Sequence, residues 1–299
     1  MLAEAQALAD ARLLLGPGAQ PLGRGATCLA FSDGRRVARM ALGPEARLTV
    51  QAQVQRRLAA QGVPVPPVLA AGVLRGEQTY CVDILLGGDH QPPSVQGWAD
   101  LGRALRVLHA LPHSGHGLLA DDARVLQGQA QDPGAGVRSR LPSAWPFGPL
   151  PLDQQPLVQA DRSLQPHLDA LTPEFQRAAG APTRVCHTDL HAGQLIWRGG
   201  RLAALLDFGD AACVPAAWDV ASAAYFHGWA AAAQVAAAAG LPCDEDAALF
   251  GLLLAQHRAA RARRREQMAQ AVGFAHGCLG RLHGWAPAAP TSLPRLAAP

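Results

Sequence analysis

Residues 184–210, from Arg184 to Asp210, read RVCHTDLHAGQLIWRGGRLAALLDFGD. Two apolar runs, Leu195 to Trp197 and Leu202 to Leu206, flank Arg198-Gly199-Gly200-Arg201. A Gly-Gly pair between short apolar runs marks a hairpin turn, so a small antiparallel hairpin is expected. Because the second strand retraces the first, Gln194 before one strand and Asp207 after the other fall close together at the open end. Opposed side chains there are roughly 5 Å apart, near enough to hold one hard cation between a carboxamide oxygen and a carboxylate. His187-Thr188-Asp189 forms a polar loop that brings another acid beside that place. A metal and a neighbouring carboxylate base are what phosphoryl transfer to a hydroxyl needs: the ion neutralises phosphate charge and the base orients the attacking oxygen.

These residues resemble the H-x-D-x-x-x-x-N loop and the following D-F-G or D-x-D segment of the aminoglycoside phosphotransferase family, whose fold is related to that of protein kinases. The two motifs occur in the right order, joined by a hairpin of the right length. Trp218-Asp219-Val220-Ala221 beyond them is similar to the D-L-A segment of the family. The resemblance implies Asp189 as catalytic base, Asp207 as metal ligand, His187 as a brace beneath the loop and Asp219 as a support of the site. The family's Asn position holds Gln194, which keeps the carboxamide ligand on a longer arm, as in maltokinase-type relatives. A competing reading gathers Cys186, His187, His191 and Cys213 around zinc, but these residues lack the C-x-x-C pairs that such sites favour.

Upstream, Pro21-Leu22-Gly23-Arg24-Gly25-Ala26-Thr27-Cys28 reads as a glycine loop leading into a strand, and Ser32-Asp33-Gly34 turns the chain back into Arg36 to Leu42. Gly23 and Gly25 would let backbone amides approach phosphate oxygens with no side chain between. In the resembling family the third strand supplies a Lys to the nucleotide phosphates, and that place falls on Arg39, which can grip phosphate through its planar fork. The acid bracing this cation is expected near Gln51 on a helix from Ala46 to Gln61, with Glu45 as the substitute from the helix start. A second hairpin, Val68 to Val73 and Thr79 to Leu85, resembles the strand and linker joining the lobes, where backbone groups from Asp83 to Leu85 would meet a nucleobase edge.

The chain has 299 residues, 49% hydrophobic and 16% charged, enough for a large domain or two lobes. Its 26 basic residues are all arginine, which excludes a Walker A loop and Schiff-base lysine chemistry. The six cysteines are scattered without a disulfide framework, and the opening segment, with Glu4 and Asp10, is no secretory signal, so reduced thiols in the cytoplasm are expected. The Ala-rich run from Ala216 to Gly240 is interrupted by Asp219, Ser222, His227 and Gln234, and reads as a packed helix and no membrane span.

In the remaining chain, residues 1–16 form an Ala/Leu-rich helix, and Leu101, Leu105, Leu108 and Leu111 recur at helical spacing in a core helix with His109 packed inside it. Gln127 to Gln155 shows no period and reads as a long loop that covers the acceptor site or packs on the large lobe. Two helices follow, Leu157 to Leu171 and Pro173 to Ala179. Asp244-Glu245-Asp246 opens another through Leu254, its acids suiting the helix dipole; the alternative is a patch receiving an amine on the substrate. Arg258, Arg261, Arg263, Arg264 and Arg265 read as a solvated helix face, with no nucleic-acid partner expected. The tail from Ala286 is expected to be loosely ordered.

The fold expected is α+β and two-lobed, protein-kinase-like: a small antiparallel β-rich lobe over 1–85 and a large, mostly helical lobe over 86–299. The resemblance implies transfer of the γ-phosphoryl of ATP or GTP, with Mg2+, to a hydroxyl of a small acceptor such as an aminoglycoside, sugar or amino alcohol, by a monomer or dimer. The alternative is a catalytically degenerate nucleotide-binding regulator.

Overall fold

A computed structural model describes residues 4–74, 78–89, 91–121 and 124–283. The turn Arg75-Gly76-Glu77 and the tail from Ala286 lie outside them. The first sheet is antiparallel, with strands β1 (Gln20–Arg24), β2 (Cys28–Ser32), β3 (Arg36–Ala41), β4 (Val68–Val73) and β5 (Thr79–Ile84) in the order β1-β2-β3-β5-β4. Helix α1 (Glu4–Leu15) covers one face, where Ala7, Ala11 and Leu15 meet Phe31, Ala38 and Met40. Helix α2 (Leu48–Ala59) covers the other, where Leu48 and Ala52 meet Cys81 of β5. Strand side chains alternate, so burying Ala38 and Met40 against α1 turns Arg39 towards α2 and the cleft.

The helical lobe is built from α3 (Val95–His109), α4 (Pro133–Arg140), α5 (Pro156–Ala160), α6 (Gln165–Ala170), α7 (Thr172–Ala179), α8 (Ala217–His227), α9 (Trp229–Ala239), α10 (Glu245–Ala260) and α11 (Arg265–His283). A second sheet runs through it in the order β6-β8-β7-β12-β9, from β6 (His113–Ser114), β7 (His116–Leu119), β8 (Leu126–Ala130), β9 (Thr183–Cys186) and β12 (Ala212–Pro215). The hairpin of β10 (Leu195–Arg198) and β11 (Arg201–Leu205) stands apart, paired from Leu195↔Leu205 to Arg198↔Arg201. Gly199 and Gly200, at φ 58° and 68°, make its turn. On α3, Leu101, Leu105 and Leu108 are buried, and Gly102 lets α9 approach so closely that a Cβ there would lie 2.3 Å from the Val235 carbonyl oxygen. None of the described helices is long and apolar enough to cross a membrane.

Three expectations are corrected. The stretch Gln127 to Gln155 is not one loop: its start belongs to β8, and Pro133–Arg140 is helical, begun by Asp132, whose side chain accepts from Ala135 N. Gly128 in β8 hides the strand signal and is required there, since a Cβ would meet the His116 backbone at 2.3 Å. The rest of the stretch packs on the large lobe, where Gln256 of α10 bonds both backbone groups of Trp145. The helix expected over Leu157 to Leu171 is broken into α5, a short 3-10 turn and α6, with Asp161 bonding Ser163 N at the break. The Ala-rich run is two helices, separated where Gly228 adopts φ 83°.

Candidate active site

The loop from His187 to Leu190 has every backbone N–H tied to a side chain. His187 N and Thr188 N donate to the two oxygens of Asp219, at 3.0 and 2.7 Å. Asp189 N donates to His187 Nδ1 at 3.4 Å, and Leu190 N to Ser222 Oγ at 2.9 Å. Asp219 and Ser222 share a face of α8 because they are three residues apart. Thr188 sits in the left-handed region at φ 68°, a conformation that a β-branched residue adopts only when its surroundings enforce it. Its hydroxyl donates to the Asp210 carbonyl at 2.7 Å and accepts from Arg140 Nε at 2.8 Å.

Asp219 is wholly buried and also accepts from His109 Nε2 at 2.9 Å. Burial alone would raise its pKa, but the bonds from His109 and Thr188 and the fields of His109 and His187 outweigh that and hold it below the ordinary carboxylate value. His109, Cys186 and Asp219 come within metal-ligating reach of one another, the one such group among the described residues. Every group in it is already engaged. Asp219 carries three donors, while burial raises the Cys186 thiol well above its usual pKa and its Sγ donates to the Val214 carbonyl. The zinc set of Cys186, His187, His191 and Cys213 is not assembled.

His187 joins this loop to the hairpin's far end. Its Nε2 donates to the Leu206 carbonyl at 2.7 Å, leaving Nδ1 to accept from Asp189 N, and its ring lies 5.2 Å from that of Phe208. Asp207 also has a positive φ, 55°, and Gly209 N donates to its Oδ1 at 3.2 Å. Gln194 Nε2 reaches Asp207 Oδ2 at 3.0 Å and His191 Nε2 at 2.9 Å. Gln194 turns its amide nitrogen to Asp207 here; with the amide flipped, its oxygen and the Asp207 carboxylate would form at this exposed corner a donor set that fits a hard cation such as Mg2+.

Arg39 spans the small lobe's side of the cleft. Nε and Nη2 both reach Asp83 Oδ2, at 3.1 and 2.7 Å, Nη1 reaches Gln51 Oε1 at 2.6 Å, and Nη2 reaches Gln55 Oε1 at 3.0 Å. Burial would lower its pKa, but Asp83 more than offsets this and holds the guanidinium above its ordinary value. The carboxylate bracing Arg39 is therefore Asp83 of β5. Glu45, proposed for this task, instead curls over its own turn, with its carboxylate filling the space beside Gly43. Arg39, Asp83, Leu85, Gln194 and Asp207 line a cavity of about 300 Å³ between the first sheet and the β10–β11 hairpin. Leu22 is the wall residue from the β1–β2 hairpin, with Gly23 and Gly25 beyond it. The amides of Ile84 and Leu85 are engaged by the carbonyls of Pro67 and Arg35, at 3.1 and 2.8 Å.

Two arginines that the sequence did not mark also belong to this site. Arg258 of α10 turns inward: its Nη2 lies 2.5 Å from Asp189 Oδ1, and its guanidinium carbon 4.7 Å from the ring centre of Phe226. Arg140 of α4, nearly fully buried, pairs with Asp210 at 2.9 Å. Asp210 is held from the other side by Arg47 at 3.3 Å, whose Nε also donates to the Gly209 carbonyl. Asp244 is occupied as the cap of α10 and Asp246 pairs with Arg177 at 2.7 Å. That acidic patch lies at the opposite end of α10 from Arg258, roughly 21 Å away at about 1.5 Å per residue.

Among solved structures, a thermostable mutant of aminoglycoside phosphotransferase APH(4)-Ia in ternary complex with ADP and hygromycin B superposes with TM-score 0.61 at 18% identity, covering 93% of this chain and 99% of that one. The GDP and kanamycin complex of APH(2")-IIia gives 0.60 at 16% identity, over 93% and 98% of the two chains. The GDP complex of wild-type aminoglycoside 2'-phosphotransferase-IIIa gives 0.59 at 15% identity, over 92% and 97%. These likenesses establish the two-lobed α+β kinase-like fold. No curated protein sequence matches the chain. The family model described as the phosphotransferase enzyme family (APH) matches residues 30–250, most of the chain, and the protein belongs to that family.

Proposed function

We propose that this protein is a small-molecule kinase that moves the γ-phosphoryl group of ATP or GTP to a hydroxyl of its acceptor. The observation that carries the reading is the convergence of Asp189, Gln194 and Asp207 through His187, whose ring bonds the backbone of both segments, beside a cavity of nucleobase size. In this reading the chain divides into a nucleotide-binding lobe over 1–85 and a catalytic and acceptor-binding lobe over 86–299. The base enters between Leu22, Leu85 and Ile196, and the phosphates run beneath Gly23 and Gly25 towards Arg39. Gln194 and Asp207 would hold Mg2+, which neutralises charge on the phosphates.

Asp189 orients the acceptor. Its Oδ1 faces Arg258, and Oδ2, 4.0 Å from His191, is left to accept the hydroxyl hydrogen. The hydroxyl oxygen then bonds the γ-phosphorus, the bond from that phosphorus to the bridging oxygen breaks, the nucleoside diphosphate departs with the electron pair, and the proton passes to Asp189. His187 and Asp219 keep the loop in the conformation that aims the carboxylate.

The test is turnover of ATP and GTP with Mg2+ over a panel of aminoglycosides, sugars, hydroxy acids and amino alcohols. Asp189→Ala is expected to lower kcat by about a thousandfold while nucleotide affinity holds. A detected activity that survives Asp189→Ala would remove the mechanism. A second reading, a nucleotide-binding regulator, is favoured by the closure of Arg258 on Asp189; nucleotide binding with no turnover on the whole panel supports it.

A further inference from the structure

Around Asp189 the acids are already answered from within the chain. Asp189 faces Arg258, and Asp210 lies between Arg47 and Arg140. Arg261, three residues beyond Arg258 and exposed at the end of α10, has no carboxylate partner among the described residues. These contacts set Arg47, Arg140, Arg258 and Arg261 beside Asp189 and Asp210, with Asp219 buried beneath the loop and Asp207 at the hairpin's open end. His257, wholly buried between these groups with neither ring nitrogen bonded, is kept neutral by burial first and then by the fields of Arg261, Arg140 and Arg258. A cationic acceptor approaching Asp189 would meet like charge and find no free carboxylate on this side.

Arg258 is also under-satisfied where it stands. Its Nη2 has Asp189, but its Nε is buried with no acceptor. A guanidinium is best served by two parallel bonds to one carboxylate or phosphate, a geometry that Asp189 does not supply. The side chain lies over the face of Phe226 and against Asp189 Oδ1, beside the Oδ2 to which the acceptor hydroxyl comes in the kinase reading.

We propose that the acceptor carries an acidic group near its reactive hydroxyl, a carboxylate or a phosphate ester, which Arg258 takes up as it swings from Asp189, with Arg261 at the mouth of the site. This inference rests on the kinase reading of the same site. Arg140, tied to Thr188 and Asp210, adds positive potential without touching the ligand. Uptake of the acceptor's acid by Arg258 would seat the neighbouring hydroxyl beside Asp189 Oδ2, so recognition of the acid and placement of the hydroxyl are one event.

The experiment compares acceptors of matched carbon skeleton with ATP and Mg2+: aldonic and other hydroxy acids, sugar phosphates, neutral sugars and polyols, and amino sugars. Isothermal titration on the protein loaded with a non-hydrolysable ATP analogue gives a second readout that needs no turnover. An acidic acceptor is expected to be used or bound at least about tenfold better than its neutral counterpart, and the carboxylate and phosphate arms decide between the two sources. Arg258→Gln is expected to raise KM for it about tenfold or more with a smaller change in kcat, and Arg258→Lys to recover part of the loss. Arg261→Gln, at an exposed position that does not threaten folding, is expected to raise KM severalfold.

Preference for neutral or amino acceptors, or unchanged discrimination in both arginine variants, would overturn the acidic acceptor and leave the kinase reading intact. Acidic compounds that bind through Arg258 and are never phosphorylated would overturn the kinase reading and leave recognition of an acid standing. Failure of every acidic compound in both readouts overturns the proposal.

Discussion

Asp219 holds Thr188 across 31 residues of sequence, its Oδ1 accepting the Thr188 N–H at 2.7 Å. Thr188 has φ 68°, so the carboxylate stabilises a conformation that the residue would otherwise leave, while His109 keeps that carboxylate charged. The aim of Asp189, the next residue, is therefore set from α8.

Asp219→Ala leaves the N–H groups of His187 and Thr188 and the ring of His109 buried without their acceptor. A loss of about 3 kcal/mol in unfolding free energy is expected, read from urea denaturation. Asp219→Asn, which still accepts one N–H, is expected to lose less. If both variants match the parent, Asp219 does not organise the loop.

Arg39 and Asp83 form the equivalent support in the first sheet, with Gln51 and Gln55 completing the guanidinium's shell. Arg39→Met strands a buried carboxylate and is expected to cost about 3 kcal/mol. Pairing it with Asp83→Leu is expected to restore much of the stability without restoring nucleotide affinity. A double variant no more stable than Arg39→Met would show that the pair is not coupled.

The proposed metal dependence rests on Gln194 and Asp207 at the hairpin's open end. Asp207→Asn is expected to raise the Mg2+ concentration for half-maximal turnover about tenfold or more, and Gln194→Ala to raise it less, with the melting temperature unchanged because both side chains are accessible. Chelation with EDTA is expected to stop turnover reversibly. Activity that persists in EDTA would end the assignment of these two residues to a metal.

His257 supplies a pH test. Its folded pKa falls to about 3 from the ordinary 6.5, so between these values the unfolded chain takes up a proton that the folded one refuses. Stability is expected to fall as pH drops through 6.5 and to keep falling to about 3, by up to roughly 1.4 kcal/mol per pH unit. His257→Leu is expected to flatten that slope, measured as Tm against pH. Asp219, whose folded pKa is lowered, acts only at the acid end: its contribution persists above its unfolded value near 3.8 and is lost as pH falls below it.

What the sequence by itself determined is local. Gly199-Gly200 with its flanking apolar runs encoded the hairpin, and that turn brought Gln194 and Asp207 together because a hairpin's register follows from its own loop. The leucines of α3 and the motif order from His187 to Asp219 identified the kinase-like core. Tertiary structure decided which charges meet. Arg39 finds Asp83 across 44 residues and Arg258 finds Asp189 across 69, while Arg140 pairs with Asp210 and bonds the Thr188 hydroxyl 48 residues away. Arg258 lay within an arginine run that looked solvated, and Arg140 within a stretch whose Gly and Gln concealed a strand and a helix. No periodicity or turn signal specifies such pairs, because they depend on how far α4 and α10 sink beside the loop, and that is set by the packing of the whole helical lobe.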